Sequence, residues 1–278
     1  MLGSEILICG GTTPTTERDY ERSCLALDLD GAKAHWRFVA NMVYERAGFG
    51  LASVGGDTLY ATGGTNHSVK HMSSTEVFNY ETGWRLDERL TMNGRRFRHC
   101  SVAIGSWLYI IGGTLEEQTS HSVEAFDTSS LLEGNTPGQW IAKPDMIHER
   151  TNLGCQVASL EGELGIYAAG GTGRDEIWTT VEFYSVAKNS WQAIGDLREV
   201  RDWFAMSLLG HEVLVSGGSG WEDGDEIELS SVEWFNGTSW IPWYGLDETR
   251  SGHIAVSVPS GRIFCGEEKE ERNPHGLL

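Results

Sequence analysis

A pair of adjacent glycines that returns about every 50 residues, each time behind an apolar run, constrains this chain more than any other feature. The pairs are Gly10-Gly11, Gly63-Gly64, Gly112-Gly113, Gly170-Gly171 and Gly217-Gly218, and Gly266-Glu267 is a degenerate sixth copy. A repeat of this length means that the fold is an array of similar supersecondary units rather than one irregular domain.

Each unit shows the same succession of features. An apolar run such as Leu108–Ile111 precedes the glycine pair, and a polar loop follows it. A second apolar run then begins with a glutamate: Glu76, Glu124, Glu182 or Glu233. A tryptophan comes next: Trp36, Trp84, Trp140, Trp191 or Trp240. Short runs of aromatic and β-branched residues are typical of strands, and four short strands per unit in a radial array predict a β-propeller.

These residues resemble the kelch-repeat propellers. The matching features are the glycine pairs, the tyrosines before them (Tyr60, Tyr109, Tyr167), the aromatic residue after each glutamate and the spaced tryptophans. The resemblance covers roughly residues 6–266. It implies an all-β, kelch-type propeller of four-stranded antiparallel sheets over residues 1–266, followed by a charged C-terminal tail over residues 267–278.

The two ends of the chain leave the closure of the ring open. The first unit starts at its second strand, and the C-terminal region supplies only a first strand, Ile254–Val258, and a second, Arg262–Cys265. We therefore predict six blades with an incomplete closing blade. The alternative is a ring of five blades, in which the C-terminal strand completes the first sheet.

The net charge and the cysteine content limit the kinds of partner and the cellular compartment that we expect. The net charge of −19 argues against binding to nucleic acid or to an anionic membrane. No stretch reaches the roughly 18 apolar residues of a membrane span. The five cysteines are odd in number and lie in predicted strands, which favours reduced thiols and a cytoplasmic protein.

An arginine opens the first strand of each unit, and a hydroxyl residue directly follows most glycine pairs. The arginines are Arg46, Arg98, Arg150, Arg201 and Arg250, and the hydroxyl residues are Thr65, Thr114, Thr172 and Ser219. Because neighbouring strands of a blade alternate in direction, both sets are predicted at one mouth of the channel. Guanidinium groups there suit an acidic or phosphorylated segment of a protein partner.

Two interpretations of these arginines remain open. Each arginine could instead pair with one of the repeated glutamates Glu76, Glu124, Glu182 and Glu233 and serve the fold alone. The resemblance favours ligand contact, because an arginine just before the first strand is a recurring ligand contact in the kelch-like substrate adaptors of cullin ubiquitin ligases. Arg46, Arg150 and Arg250 match that pattern best, although the chain contains no dimerising or cullin-binding helical region.

An enzymatic role is the alternative from another class. Kelch enzymes include carbohydrate-active and metal-dependent members, but the nine histidines show no metal-ligand spacing that fits them. We therefore predict a binding protein with no catalytic residues, no metal and no cofactor. An actin-associated scaffold is a second binding interpretation.

Overall fold

The computed structural model describes residues 2–13, 19–29, 35–131, 138–222 and 225–258 of the 278. In this part the chain is all β, apart from two short 3-10 turns at Glu88–Leu90 and Thr128–Leu131. Five main antiparallel sheets follow one another along the sequence. The propeller fold that the glycine repeat predicts is confirmed.

The sheets are built from strands that are close in sequence. The first sheet contains β1 (Glu5–Cys9), β2 (Ser23–Asp28) and β3 (Trp36–Asn41). The second contains β4 (Gly50–Val54), β5 (Thr58–Thr62), β6 (Thr75–Asn79) and β7 (Gly83–Leu86). A short strand, β8 (Arg96–Phe97), precedes the third sheet.

The third sheet contains β9 (Cys100–Ile104), β10 (Trp107–Ile111), β13 (Val123–Asp127) and β14 (Ile141–Lys143). Between them, β11 (Thr114–Leu115) pairs on one side with β12 (Gln118–Thr119) and on the other with β8. The fourth sheet contains β15 (Gly154–Leu160), β16 (Glu163–Ala169), β17 (Val181–Ser185) and β18 (Ser190–Ile194).

The fifth sheet contains β19 (Ala205–Leu209), β20 (Glu212–Ser216), β23 (Val232–Phe235) and β24 (Trp240–Trp243). A hairpin of β21 (Ser219–Glu222) and β22 (Asp225–Glu228) extends from it. The first strands β4, β9, β15 and β19 pack side by side in that order, so they form the inner wall of the propeller.

The glycine pairs are required because the backbone of the next unit crosses them. The second glycine donates its N–H to the carbonyl of the arginine that opens the next unit, as in Gly64 to Arg96 at 2.8 Å and Gly113 to Arg150 at 2.7 Å. A Cβ on Gly63 would lie 2.3 Å from the Arg96 carbonyl oxygen. Only glycine permits this approach together with the positive φ of 61° at that position.

The tryptophans occupy equivalent places on or just before the outer strands. Each packs against the aromatic side chain that follows the repeated glutamate at a similar distance between ring centroids: 5.2 Å for Phe78–Trp84, 5.5 Å for Phe126–Trp140, 5.3 Å for Tyr184–Trp191 and 5.3 Å for Phe235–Trp240. None of these four tryptophans is exposed. The predicted register of the outer strands is therefore correct.

The first sheet differs from the others in having three strands in the described part of the chain. In the first sheet Ile8 is paired with Leu25. The equivalent pair in the second sheet is Ala61 with the buried Glu76. Leu25 is exposed, and so are Trp36 and Phe38 on the same face. In the second sheet the equivalent face packs on the first sheet, so this apolar face is the one that a preceding blade would cover.

The predicted closing strands do not form a sheet in the described part of the chain. Residues 254–258 are not in a strand, although Ser257 exchanges hydrogen bonds with Leu208 on the inner strand β19. They do not pair with β1, which five-blade closure requires. The second predicted strand, Arg262–Cys265, and the tail, 267–278, lie outside the described residues, so six blades and the boundary at residue 266 stay predictions.

The oxidation state of the cysteines differs from the sequence prediction. Reduced thiols were expected, but Cys9–Cys24 and Cys100–Cys155 are disulfide-bonded. The first bond joins directly opposed residues of β1 and β2, and the second joins β9 to β15 across two blades with a Cα–Cα distance of 6.1 Å. Cys265 lies outside the described residues. The spacing along the chain gave no signal for either pair, because both depend on the packing of strands.

Candidate functional site

Four arginines form a layer of buried supports beneath the mouth. These strut arginines are Arg46, Arg96, Arg150 and Arg201, and each has 0% exposure. Each precedes the first strand of its sheet and reaches across to the second and third strands. The layer repeats in the same geometry in every sheet from the second to the fifth.

Arg150 illustrates the contacts. Its Nη1 donates to the carbonyls of Gly170 and Thr180, both at 2.8 Å. Its Nη2 donates to the Thr180 hydroxyl and to Glu182 Oε1, both at 2.7 Å. Glu182 also accepts the backbone N–H groups of Ile147 and His148 at 2.6 and 3.0 Å. The ion pair therefore fixes the linker from the preceding blade to the sheet that follows it.

The expectation that these arginines line the mouth with free guanidinium groups is wrong for Arg46, Arg150 and Arg201. Their donors are used inside the blade, on a glycine carbonyl, a hydroxyl residue and the repeated glutamate. Burial lowers the pKa of Arg46 and of Arg150, and the neighbouring glutamate opposes this. The glutamate pairing left open by the sequence is the one observed, within a single sheet.

The third unit has two arginines, and the sequence interpretation chose the wrong one as the repeat residue. Arg96 is the buried strut, with Nη2 2.8 Å from Glu124 Oε1 and Nη1 2.7 Å from the Gly112 carbonyl. That carbonyl follows Arg96 by 16 residues, as the Gly217 carbonyl follows Arg201. The spacing from arginine to glycine pair would have identified Arg96, whereas the spacing from tryptophan to arginine did not.

Arg98 belongs to a second repeated position, two residues after each arginine that opens a unit. We call these five residues the mouth ring: Gly48, Arg98, Asn152, Trp203 and Gly252. All five have left-handed backbones, with φ between 52° and 65°. Each of the last four donates its N–H to the carbonyl of the ring residue in the preceding unit, at distances from 2.6 to 3.3 Å.

A depression of about 170 Å³ lies at the mouth ring. All five ring residues line it, together with the residues that follow them: Phe49, His99, Leu153, Phe204 and His253. The Arg98 guanidinium carbon lies 5.0 Å from the centre of the Phe97 ring and 4.9 Å from that of Trp203. The guanidinium therefore makes cation–π contacts with two aromatic rings, and Trp203 remains 38% exposed beside it.

The predicted hydroxyl residues lie near the mouth ring. Two of them, Thr114 and Thr172, also contact the following unit through their hydroxyl groups. Thr65, Thr172 and Ser219 pair through their backbones with the residue before the mouth ring in their own unit. Thr114 pairs likewise with Phe97, and its hydroxyl is 3.1 Å from that of Thr151. The structure thus places these four residues beside one another around the mouth, half-buried or buried.

Asp202 is an acidic residue that joins two neighbouring units at the mouth ring. Its Oδ2 accepts the Thr172 hydroxyl at 2.7 Å and the Asn152 amide at 3.5 Å. Burial raises the pKa of the Asp202 carboxyl, while these two hydrogen bonds oppose the rise. The charge of Glu226 raises the pKa further and that of Arg98 lowers it, so both charges act on Asp202.

Two histidines occupy a position that is apolar in the other units. Phe49, Leu153 and Phe204 stand where the third unit has His99 and the last has His253. His99 Nε2 is 2.9 Å from the Thr62 hydroxyl, and His253 Nε2 is 2.9 Å from that of Ser216. Burial lowers the pKa of His99 to about 3, so the ring is neutral at physiological pH.

Arg250 keeps the backbone position of a strut arginine but not its contacts. Its carbonyl accepts the Gly218 N–H at 2.7 Å, as the repeat requires. Its side chain is 56% exposed and lies 3.7 Å from Glu248. The glycine that would correspond to its partner, Gly266, lies outside the described residues. Of the five predicted arginines, only Arg98 and Arg250 are therefore not buried.

The loops around the mouth carry mostly acidic side chains. They connect second to third strands, and their exposed acids are Glu116, Glu117, Asp175, Glu176, Asp225, Glu226 and Glu228. We call these seven residues the acidic rim. Two exposed bases, Lys70 and Arg174, stand among them, and Lys70 is paired with Glu117 at 2.9 Å.

Comparison with known proteins agrees with this geometry. The Kelch motif model matches residues 95–131, which contain Arg96, the third glycine pair and Glu124. The solved structure described as "Structure of YjhT" superposes with a TM-score of 0.75 at 12% identity, over 92% of this chain and 85% of that one. The chain therefore contains a Kelch motif in its third unit and shares the fold of that solved structure.

Kelch relatives among curated proteins match only in part. Kelch-like protein 36 of Mus musculus is 28% identical over 136 residues, 48% of this chain and 21% of that protein. The Bos taurus Kelch-like protein 36 is 22% identical over 206 residues, 73% of this chain and 32% of that protein. The Influenza virus NS1A-binding protein homolog B of Danio rerio is 39% identical over 90 residues, 32% of this chain and 13% of that protein. The chain thus spans about a third or less of each relative.

The described residues contain no group of three or more histidine, cysteine or acidic side chains arranged to hold a metal ion. No helix in the same part of the chain has the length and apolar character needed to cross a bilayer.

Proposed function

We propose that this kelch propeller is a protein-interaction module whose partner presents an acidic side chain to Arg98 at the mouth ring. The observation that carries the proposal is the stacking of Arg98 between Phe97 and Trp203 in the wall of a depression. The guanidinium carbon lies within about 5 Å of both ring centres, so the cation is held at a fixed place in the wall of the depression. A planar guanidinium held in this way suits a carboxylate.

The neighbouring ring residues support the same role. Asn152 and Trp203 stand at the next two ring positions, so an amide and an exposed indole lie beside the cation. Tryptophan and arginine are the residue types that most often dominate binding energy at interfaces. Gly48 and Gly252 at the remaining ring positions have no side chain and leave that side of the depression open.

The relatives' names extend the proposal to a biological setting. Two of the curated relatives are kelch-like proteins and the third is named as a binding protein. We propose that this chain recognises partners in the same general way, as the substrate-binding part of a ubiquitin-ligase adaptor. Binding rather than catalysis is the role that the mouth ring supports.

The test is selection from a displayed library of random 12-residue peptides on the purified chain. We expect the enriched peptides to contain Asp or Glu. Arg98→Ala should weaken their binding by about 1.5–3 kcal/mol, the usual value for a hydrogen bond to a charged group. Affinity should also fall as salt rises, because exposed charges are screened.

The matched control is Arg85→Ala. Arg85 is an exposed arginine on the outer strand β7, far from the mouth ring and paired with Asp87 at 3.0 Å. This variant should bind the enriched peptides like the unmodified chain. Enriched peptides without acidic residues, or equal loss of affinity in both variants, would show that Arg98 is not the recognition residue.

A further inference from the structure

Two independent features point to a modification site on the face of the propeller away from the mouth. The first is the state of the cysteines, because every cysteine in the described part of the chain is in a disulfide bond. Disulfides persist in the secretory pathway and outside the cell, and they are rare in the cytosol. The second is the triplet Asn236-Gly237-Thr238, which has the acceptor sequence for an N-linked glycan in a secreted protein.

Asn236 lies in the turn between β23 and β24, and residues 236–239 are all exposed. The second strand of the sheet ends at the glycine pair beside the mouth, and the third strand is antiparallel to it. The third strand therefore runs away from the mouth, and the turn that follows it lies at the opposite end of the sheet. A glycan on this turn leaves the depression at the mouth ring open.

The hydrogen bonds of this turn use the oxygen of the Asn236 amide and not its nitrogen. Oδ1 accepts the backbone N–H groups of Thr238 and Ser239 at 2.9 and 2.8 Å. The same turn in the third unit has Asp127, whose Oδ1 accepts the N–H of Ser129 at 3.1 Å, so an acceptor oxygen is all that the turn needs. None of the hydrogen bonds of Asn236 within the described residues involves Nδ2. Because a glycan is attached to Nδ2, the folded turn accommodates it.

A second triplet, Asn66-His67-Ser68, is similar in sequence but has a different environment. Asn66 is half-buried, and its Nδ2 donates to the carbonyl of Glu45 at 3.3 Å. The ring of His67 packs against that of Tyr20, with 4.7 Å between the ring centres. A sugar on Asn66 Nδ2 would be crowded by the Glu45 backbone. The structure therefore favours Asn236 over Asn66 as the acceptor.

We propose that this is a protein of the secretory pathway in which Asn236, and not Asn66, carries an N-linked glycan. The site is separate from the mouth ring, so recognition of an acidic segment there is compatible with it. The ubiquitin-ligase setting is not compatible, because that machinery is cytosolic. Occupancy of Asn236 would therefore assign the mouth to a partner outside the cytosol.

The modification is a glycosyl transfer from a lipid-linked oligosaccharide diphosphate. Asn236 Nδ2 forms a bond to the anomeric carbon of the first sugar and loses one proton. The bond from that carbon to the diphosphate oxygen breaks, the lipid diphosphate leaves, and nothing is oxidised or reduced. The amide oxygen keeps its hydrogen bonds to Thr238 and Ser239.

The first test uses the protein isolated from the cells that make it. Peptide:N-glycosidase F in heavy-oxygen water converts a glycosylated asparagine into a labelled aspartate, which mass spectrometry locates. We expect the label at Asn236 and not at Asn66, and no alkylation of Cys100 or Cys155 without reductant. An unlabelled Asn236 would overturn the proposal, and free cysteines with it would favour the ubiquitin-ligase setting.

Matched variants then separate the triplet from the turn. The chain is expressed behind a cleavable secretion signal in a eukaryotic host, and its gel mobility in lysate and medium is compared before and after the same enzyme. Asn236→Asp keeps an acceptor oxygen, and Thr238→Ala keeps the backbone N–H that Asn236 binds. Each should abolish the single shift in mobility, whether or not the variant is secreted.

The control is Ser68→Ala, which removes the second triplet and should leave the shift unchanged. A shift that persists in Asn236→Asp and Thr238→Ala, or one that Ser68→Ala reduces, would overturn the assignment to Asn236. The proposed function is tested separately, since peptide selection with Arg98→Ala does not depend on the glycan.

Discussion

Arg96 and Arg98 are two residues apart and have opposite environments. Arg96 is fully buried, and its guanidinium bonds to Gly112, Ser122 and Glu124 inside one blade. Arg98 lies in the wall of the mouth depression between two aromatic rings. The same residue type therefore serves the scaffold in one layer and lines the mouth depression in the next. Position relative to the glycine pair, rather than residue type, decides which.

Replacing each arginine is the strongest test of this difference. Arg96→Ala should lower the free energy of unfolding by about 3–5 kcal/mol, because it leaves Glu124 buried without its charged partner. Arg98→Ala should lower it by only about 1–2 kcal/mol, the scale of its two cation–π contacts. Urea denaturation measures both, and similar losses in the two variants would contradict the separation into layers.

The disulfide between Cys100 and Cys155 sharpens the comparison, because it lies just past the mouth ring but joins scaffold strands. It closes a loop with a sequence separation of 55 residues. Cys100→Ser with Cys155→Ser should lower the free energy of unfolding by about 2–4 kcal/mol. Mass spectrometry after alkylation without reductant would verify the bond. Free thiols at both positions would show that the bond does not form in solution.

His99 tests whether the residue after Arg98 belongs to the scaffold, although it lines the depression. Burial, then the Arg96 charge, lowers its pKa to about 3 in the folded chain, below the ordinary value of 6.5. Its contribution to stability is therefore present above pH 6.5 and is lost as the pH falls toward 3. Between pH 6.5 and pH 5 this loss is about 2 kcal/mol, at 1.36 kcal/mol per unit.

The matched variant is His99→Phe, since Phe49 and Phe204 occupy the same position in other units. It should unfold with a weaker dependence on pH over that interval, measured by urea denaturation at each pH. An unchanged dependence would mean that His99 is accessible to protons in the folded chain and belongs to the mouth.

Much of the fold could be predicted from the sequence, since its signals are local and repeated. The glycine pairs, Glu76, Glu124, Glu182 and Glu233, and the tryptophans recur in register because each unit solves the same packing problem. Two glycines per unit let the next backbone cross, and an aromatic pair fills each outer interface.

The candidate site could be predicted only in part. The mouth and its hydroxyl residues Thr65, Thr114, Thr172 and Ser219 followed from the alternation of strand direction. The burial of Arg46, Arg150 and Arg201 did not, because a sequence does not show whether a guanidinium points into its own sheet or toward solvent. Asn152 and Trp203 were missed, since residues at the ring position share a backbone conformation and not a residue type.

The sequence by itself determined the repeat, the antiparallel sheets and the residues that one unit needs, because these depend on contacts within about 50 residues. Only the tertiary structure decided which arginine is a buried strut and which lines the mouth depression, because the direction of a guanidinium depends on packing that a local pattern does not show. It alone paired Cys100 with Cys155 and brought the five mouth-ring residues together. The disulfide and the ring join different blades, where distance in space is set by the packing of the sheets and not by separation along the chain.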